Sequence, residues 1–318
     1  MKNSLKLLFS SFAAFVRQDF NLWAYAYTVL LVACSVALMY GTEWGHRFEL
    51  GVAPLGNVYA NHILRYAGIY FLVAIPTLAF RCKYAALRNP AFYAKALLLM
   101  LLLSVSDAFS WRTALDLSGY SSVEQSYVFK AMWRVRNLTF TLPALLVLRI
   151  FFDKKVKGLY GLCRGNHHVR AYLWLYVAVA PLLVFASFTD DFLSYYPSYE
   201  PWFFEDVFGR PAWLNTLMFE AVYMADFVMV ELLFRGALVI GMAAMLGRSA
   251  VLPMVAAYVA LHFGKPALEA ISAMFGGYFL GALAFQTRHI WGGVIIHMGI
   301  ALLIELLRFF EHYVLGVG

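Results

Sequence analysis

The chain has 318 residues, of which 63% are hydrophobic, 18% aromatic and only 14% charged, with a formal net charge of +7. A soluble chain carries about 25% charged residues; this deficit, together with apolar runs near the ~20 residues that cross a bilayer, excludes a water-soluble globule and predicts an all-α, polytopic helical membrane protein. The positive charge fits loops at a membrane surface and requires no nucleic acid, and the scattered cysteines Cys34, Cys82 and Cys163 form neither a disulfide framework nor a metal-ligand spacing.

In chain order, residues 1–20 mix apolar stretches with Lys2, Lys6, Arg17 and Asp19, which reads as an interfacial helix and not as a cleaved signal peptide. Spans follow at 21–41, 66–80, 95–112, 137–152, 171–188, 213–246, 250–264, 267–286 and 290–309, giving about 8–9 transmembrane helices. Residues 21–212 read as a transmembrane scaffold, with Asp107 its clearest ionisable group, and residues 213–318 as the core that carries a polar site. The connections are short, so no soluble domain is expected, and the absence of an internal repeat counts against a repeat-built transporter.

Loop charge sets the expected orientation. One set of alternating segments holds fourteen basic residues (Lys2, Lys6, Arg17; Arg81, Lys83, Arg88, Lys95; Lys154, Lys155, Lys157, Arg164, Arg170; Arg248, Arg288) and the opposite set nine. That bias places the N-terminus in the cytoplasm and the C-terminus outside. The acidic and aromatic loop 189–212 suits the external interface. His167 and His168 read as a solvated surface pair, and Glu220, Glu269 and Glu305 as span-end residues that snorkel or cap.

Four ionisable residues remain inside the last spans: Glu231, Arg235, His262 and His297. Hydrocarbon solvates none of them, so they are expected to face one another or a wet cavity, the default position for function. Glu231 and Arg235 are four apart and share a helix face in the favoured order, acid before base. Such a set can hydrolyse a carbonyl compound: Glu231 takes a proton from water, one imidazole shares that proton, and the other donates to the oxyanion. Glu231, His262 and His297 are also the only candidate zinc set, although no His-Glu-x-x-His pair supports it; no other cofactor is indicated. Counted along straight helices, the three lie at roughly 20, 18 and 10 Å from the cytoplasmic ends, so a tilt or a break at Gly236 or Gly241 is needed to level them. Ala273-x-x-x-Gly277-x-x-x-Gly281 forms a small-residue ridge and reads as helix packing.

From about 213 to 309 the order of these motifs resembles the CAAX prenyl protease and bacteriocin-processing intramembrane endopeptidases, known as CPBP or Abi proteins. The pattern Glu-Glu-x-x-x-Arg is matched by Val230-Glu231-x-x-x-Arg235, the aromatic and histidine of the second motif by Tyr258-x-x-x-His262, and His-x-x-x-Asn by His297-x-x-x-Ala301; Leu233-Phe234-Arg235-Gly236 is also typical. The resemblance implies a helical fold with its site inside the membrane, where a glutamate and a histidine activate water and a later histidine and asparagine stabilise the oxyanion. Two positions depart from it, since Val230 replaces the first glutamate and Ala301 the asparagine. Activity then requires Glu231 as base, with Asp226, one turn before Val230 on the same face, offering a second carboxylate.

On this reading Glu231, His262 and His297 are catalytic and Arg235, Asp226 and Tyr258 support them. The expected function is a glutamate-dependent intramembrane endopeptidase that cuts a membrane-associated or lipidated peptide at the cytoplasmic side. Its partners are membrane lipid and a membrane-associated peptide or protein, and its expected location is a bacterial inner (plasma) membrane. The alternatives are a catalytically inactive protease-like scaffold that binds a peptide or protein partner, and a transporter.

Overall fold

The computed structural model describes residues 2–43, 45, 47, 55–163, 169–204 and 206–316, so the expected surface pair His167 and His168 lies outside the described residues. All regular structure among the described residues is helical. The long helices are α1 (Lys2–Asp19), α2 (Leu22–Gly41), α3 (Val58–Phe80), α4 (Pro90–Ala108), α5 (Ser122–Phe151), α6 (Val169–Ser187), α7 (Ala212–Glu231), α8 (Val251–Leu261), α9 (Ala267–Thr287) and α10 (Trp291–Phe310). Local chemistry sets several starts. The side chains of Asn21, Asn57 and Asn89 accept from the backbone N–H groups of Ala24, Ala60 and Ala91, and Ser121 with Glu124 forms a capping box at α5.

Seven helical stretches among the described residues are long and apolar enough to cross a membrane, and the chain is an integral membrane protein. The longest, Ala212–Leu261, contains two legs that turn at the short helix Ala243–Leu246 and the 3-10 turn Gly247–Ala250. Every predicted span coincides with a helix. Two begin well before the expected positions, α3 at Val58 and α5 at Ser122, and the buried His62 and Arg136 of these extensions both pair with Asp107. Asp107 on α4 lies 3.3 Å from His62 Nε2 and 2.6 Å from Arg136 Nη2, and it accepts a 2.5 Å hydrogen bond from the Tyr66 hydroxyl. These contacts neutralise and satisfy charges that hydrocarbon cannot.

Helix α1 sets one face against the protein and turns the other outward. Leu8 and Phe15 are buried, Leu7 and Phe9 are exposed, and Phe12 and Phe15 meet Phe279 and Phe285 of α9 at 4.9 and 5.6 Å between ring centroids. Asp19 at its end pairs with Arg81 at 2.9 Å. The centre of the bundle is α8, apolar and buried from Val251 to Ala260. It packs on the small-residue ridge of α9: a Cβ on Gly277 would stand 3.0 Å from Tyr258, and one on Gly281 2.5 Å from Met254. The ridge therefore sets how deep Tyr258 sits.

Beyond Glu231 the chain neither breaks nor unwinds at Gly236 or Gly241. It continues as a π-helix over Leu232–Gly241, whose i→i+5 hydrogen bonds widen the turn. Tyr160, from the loop between α5 and α6, explains both glycines. A Cβ on Gly236 would meet Tyr160 at 2.9 Å and one on Gly241 would meet its ring at 2.8 Å. The Tyr160 hydroxyl donates to Asp153 at 2.5 Å, and Lys95 links Asp153 (2.6 Å) to the Gly241 carbonyl (2.8 Å), so this wedge is pinned at both ends.

Candidate active site

Three elements bring the polar residues together: the junction of α7 with the π-helix, the C-terminal end of α8, and the second turn of α10. Glu231 is fully buried, and its Oε1 lies 2.8 Å from Arg235 Nη1 and 3.2 Å from His297 Nδ1. The first contact is within one helix; the second joins residues 66 apart in sequence. Gly293, one turn before His297, makes the second contact possible, because a Cβ there would stand 1.9 Å from Glu231 Oε2. Among the described residues, Glu231 Oε2 is buried and takes no hydrogen bond.

Tyr258 is the partition of the site. The Arg235 guanidinium carbon sits 4.0 Å above its ring, His262 packs against it at 4.6 Å between centroids, and His297 at 6.1 Å. A cation over an aromatic face is held by the ring quadrupole, so Tyr258 helps fix the charge that pairs with Glu231. Phe227 closes the other side of His297 at 4.4 Å. The two imidazoles thus both pack against one tyrosine ring.

Hydrogen bonding decides what each imidazole offers. His262 Nδ1 lies 2.8 Å from the Tyr258 carbonyl oxygen, which only accepts, so Nδ1 carries the proton and Nε2 the lone pair. His297 Nδ1 faces the Glu231 carboxylate, which likewise assigns the proton to Nδ1 and leaves Nε2 bare. In the neutral ring, therefore, neither Nε2 can donate to an oxyanion; both can accept a proton.

The structure gives Asp226 different company. Its Oδ1 accepts from Asn137 Nδ2 at 2.7 Å, and Asn137 Oδ1 accepts from Ser106 at 2.7 Å, which ties α7 to α5 and α4. The geometry thus brings Glu231, Arg235, Tyr258, His262 and His297 together and commits Asp226 to a helix-packing bridge. Val230 and Ala301 are buried among apolar side chains, the latter in a cluster with Tyr127, Tyr223 and Phe227.

Two acids expected at solvated span ends are turned inward instead, Glu305 buried and the Glu269 side chain 18% exposed. Glu269 Oε1 lies 2.8 Å from Lys265 Nζ and 3.7 Å from His262 Nε2, while its Oε2 accepts from the Tyr196 hydroxyl at 2.7 Å. Glu305 is 1% exposed and accepts from the Ser198 backbone N–H at 2.8 Å. Both are capped by the 189–212 loop, whose folding back over the bundle cannot be read from its polarity. The i,i+4 spacing of Lys265 and Glu269 is the one sequence signal that pointed to this pair.

Among the described residues, no three histidine, cysteine or acidic side chains stand as a metal-holding group. Glu231 Oε1 is already shared between the Arg235 guanidinium and the His297 Nδ1–H, so the arrangement of these residues does not match the zinc alternative.

A carboxylate, a guanidinium and two imidazoles from separate helical elements thus meet inside a helical membrane protein. Consistent with this, residues 211–303 match the family model described as Rce1-like, Type II CAAX prenyl endopeptidase Rce1-like. That segment is CAAX prenyl endopeptidase-like, and it contains Glu231, Arg235, Tyr258, His262 and His297. No curated protein and no solved structure matches the chain.

Proposed function

We propose that the protein is a glutamate-dependent intramembrane endopeptidase that hydrolyses a peptide bond of a membrane-associated or lipidated substrate admitted from the cytoplasmic side. The observation that carries this reading is the 3.2 Å contact between the fully buried Glu231 and the half-buried His297 Nδ1, made within a CAAX prenyl endopeptidase-like segment. Glu231 fixes the tautomer of His297 and balances the charge the ring acquires. His297 Nε2 then takes a proton from water, the hydroxide oxygen adds to the peptide carbonyl, and the C–N bond breaks as the imidazolium returns that proton to the departing nitrogen. His262 Nε2 is the second acceptor; once protonated, it becomes a donor to the oxyanion, a role left open by Ala301.

Depth supports a bond cut inside the bilayer. Helix α8 has 11 residues, so it rises about 16 Å, half of a ~30 Å hydrocarbon core, before His262 ends it. The test is cleavage of a library of membrane-anchored peptides by purified protein beside Glu231→Gln. Cleavage by the wild type that is lost in the variant supports the enzyme.

A second reading is favoured by Val230 and Ala301, whose apolar surroundings replace two polar positions: a protease-like scaffold that binds a peptide or protein partner without cutting it. The same assay separates the two readings. Retained peptide binding with no cleavage by the wild type supports the scaffold, and Glu231-dependent flux into liposomes would displace both in favour of transport.

A further inference from the structure

Glu269 was legible only as a helix-start acid, yet its carboxylate is turned inward and stands 3.7 Å from the bare Nε2 of His262. Three restraints hold it there. Lys265 Nζ donates to Oε1 at 2.8 Å and the Tyr196 hydroxyl donates to Oε2 at 2.7 Å, while the Tyr40 hydroxyl of α2 donates to the backbone carbonyls of His262 (3.0 Å) and Lys265 (2.8 Å), fixing the turn that joins α8 to α9. The carboxylate is thus set by contacts from the 189–212 loop and from the turn before its helix, and His262 by contacts from α8 and α2. Neither is free to drift from the other.

We propose that Glu269 is the positioning residue and counter-ion of His262, supplying on the α9 side of the site the carboxylate that Val230 does not supply on the α7 side. The inference rests on the endopeptidase reading for its role in the reaction, but the pairing itself is a property of the resting protein. His262 Nδ1 is spent on the Tyr258 carbonyl, so a proton arriving from water can enter only at Nε2, the atom that Glu269 faces. A positive ring at that distance from a carboxylate is stabilised, and the same ring beside a neutral amide is not.

The charged and titratable groups that face the His262 ring are few. Tyr258 packs on it from α8, Lys265 stands in the following turn, Glu269 comes from α9, and His297 of α10, paired with Glu231, packs on the same Tyr258 ring. Lys265 and Glu269 act on His262 with opposite sign, so removing each one separately gives two opposed signatures. A purely structural role for the pair would give the same signature twice.

The experiment is a pH titration of full-length protein in nanodiscs, labelled with 15N-histidine and read by NMR, with His262 assigned by its loss in His262→Gln. Glu269→Gln, which retains an acceptor for Tyr196, is expected to lower the His262 midpoint by about one pH unit or more, tenfold in the protonation equilibrium, and Lys265→Met to raise it. Lys265→Met also keeps the pairing testable should Glu269→Gln fail to fold. A midpoint unmoved in Glu269→Gln but displaced in Glu231→Gln would overturn the assignment and make Glu231 the counter-ion, and a midpoint that falls in Lys265→Met would overturn it equally. The same preparations are assayed for peptide cleavage, where Glu269→Gln is expected to lower kcat about tenfold with KM unchanged. If the wild type cleaves nothing while the midpoints move as stated, the endopeptidase reading fails and the Glu269–His262 pairing stands.

Discussion

Gly293 leaves the space that the Glu231 carboxylate occupies: a Cβ built on Gly293 would stand 1.9 Å from Glu231 Oε2. A helix of ordinary side chains at this point would hold Glu231 away from α10 and break its contact with His297. Gly293→Ala is therefore expected to displace the carboxylate by about an ångström and to lower cleavage about 100-fold, the cost of a misplaced catalytic group. Gly276→Ala is the control, since a Cβ there meets nothing within 4 Å; it should leave cleavage unchanged and gain up to about 1 kcal/mol of helix stability. Peptide cleavage and thermal unfolding in detergent check both.

The ion pair of Glu231 with Arg235 is buried on both sides, with exposures of 0% and 1%. Removing one partner leaves the other uncompensated, which costs about 3–5 kcal/mol, whereas removing both is close to neutral. Glu231→Gln alone is expected to lower the unfolding midpoint clearly. Glu231→Gln with Arg235→Met should restore most of that stability and none of the cleavage. Recovery of cleavage in the double variant would remove Glu231 from the chemistry.

Much of the fold was legible because hydropathy and the short loops between spans are local signals, and the nine predicted spans each fall on a helix. The legible part of the candidate site was of the same kind: Glu231, Arg235, His262 and His297 stood out as ionisable groups in apolar runs, and the order of their motifs carried the family resemblance. What was not legible depends on pairings distant in sequence. The start of α3 fell outside the predicted span because Asp107, which partners His62, is distant in sequence; the π-helix after Glu231 answers to Tyr160 in another loop; and Glu269 was taken for a span-end acid because nothing near it in sequence shows that Tyr196 folds over it. Gly293 carried no signal, since its meaning is the absence of an atom where Glu231 arrives.

Asp226 separates helix packing from chemistry. Its bridge through Asn137 to Ser106 joins α7 to α5 and α4, with both hydrogen bonds at 2.7 Å. Asn137→Ala leaves the half-buried carboxylate without this donor and is expected to cost about 1 kcal/mol. Asp226→Asn, which keeps an acceptor for Asn137, should cost less than that and should change cleavage by no more than a few-fold. A loss of cleavage as large as that of Glu231→Gln, with stability retained, would return Asp226 to the site.

Tyr160 is the wedge that connects the loop after α5 to the segment bearing the site. It is fully buried, its backbone and ring lie where side chains on Gly236 and Gly241 would otherwise project, and its hydroxyl is fixed by Asp153, which Lys95 holds in turn. Tyr160→Ala removes a large buried aromatic and is expected to cost about 3–5 kcal/mol by the cavity it leaves. Tyr160→Phe keeps the packing and loses only the hydrogen bond to Asp153, so it should cost about 1 kcal/mol. The two variants also differ in what they do to the π-helix. With the ring present, the wide turn of Leu232–Gly241 stays supported and the geometry of Glu231 with His297 is kept; without it, the segment is free to tighten toward an ordinary α-helix, which rotates Glu231 relative to α10. Cleavage should therefore survive in Tyr160→Phe and fall more than tenfold in Tyr160→Ala even at a temperature where both are folded. Equal activity in the two folded variants would show that the π-helix holds itself and that the wedge serves stability alone.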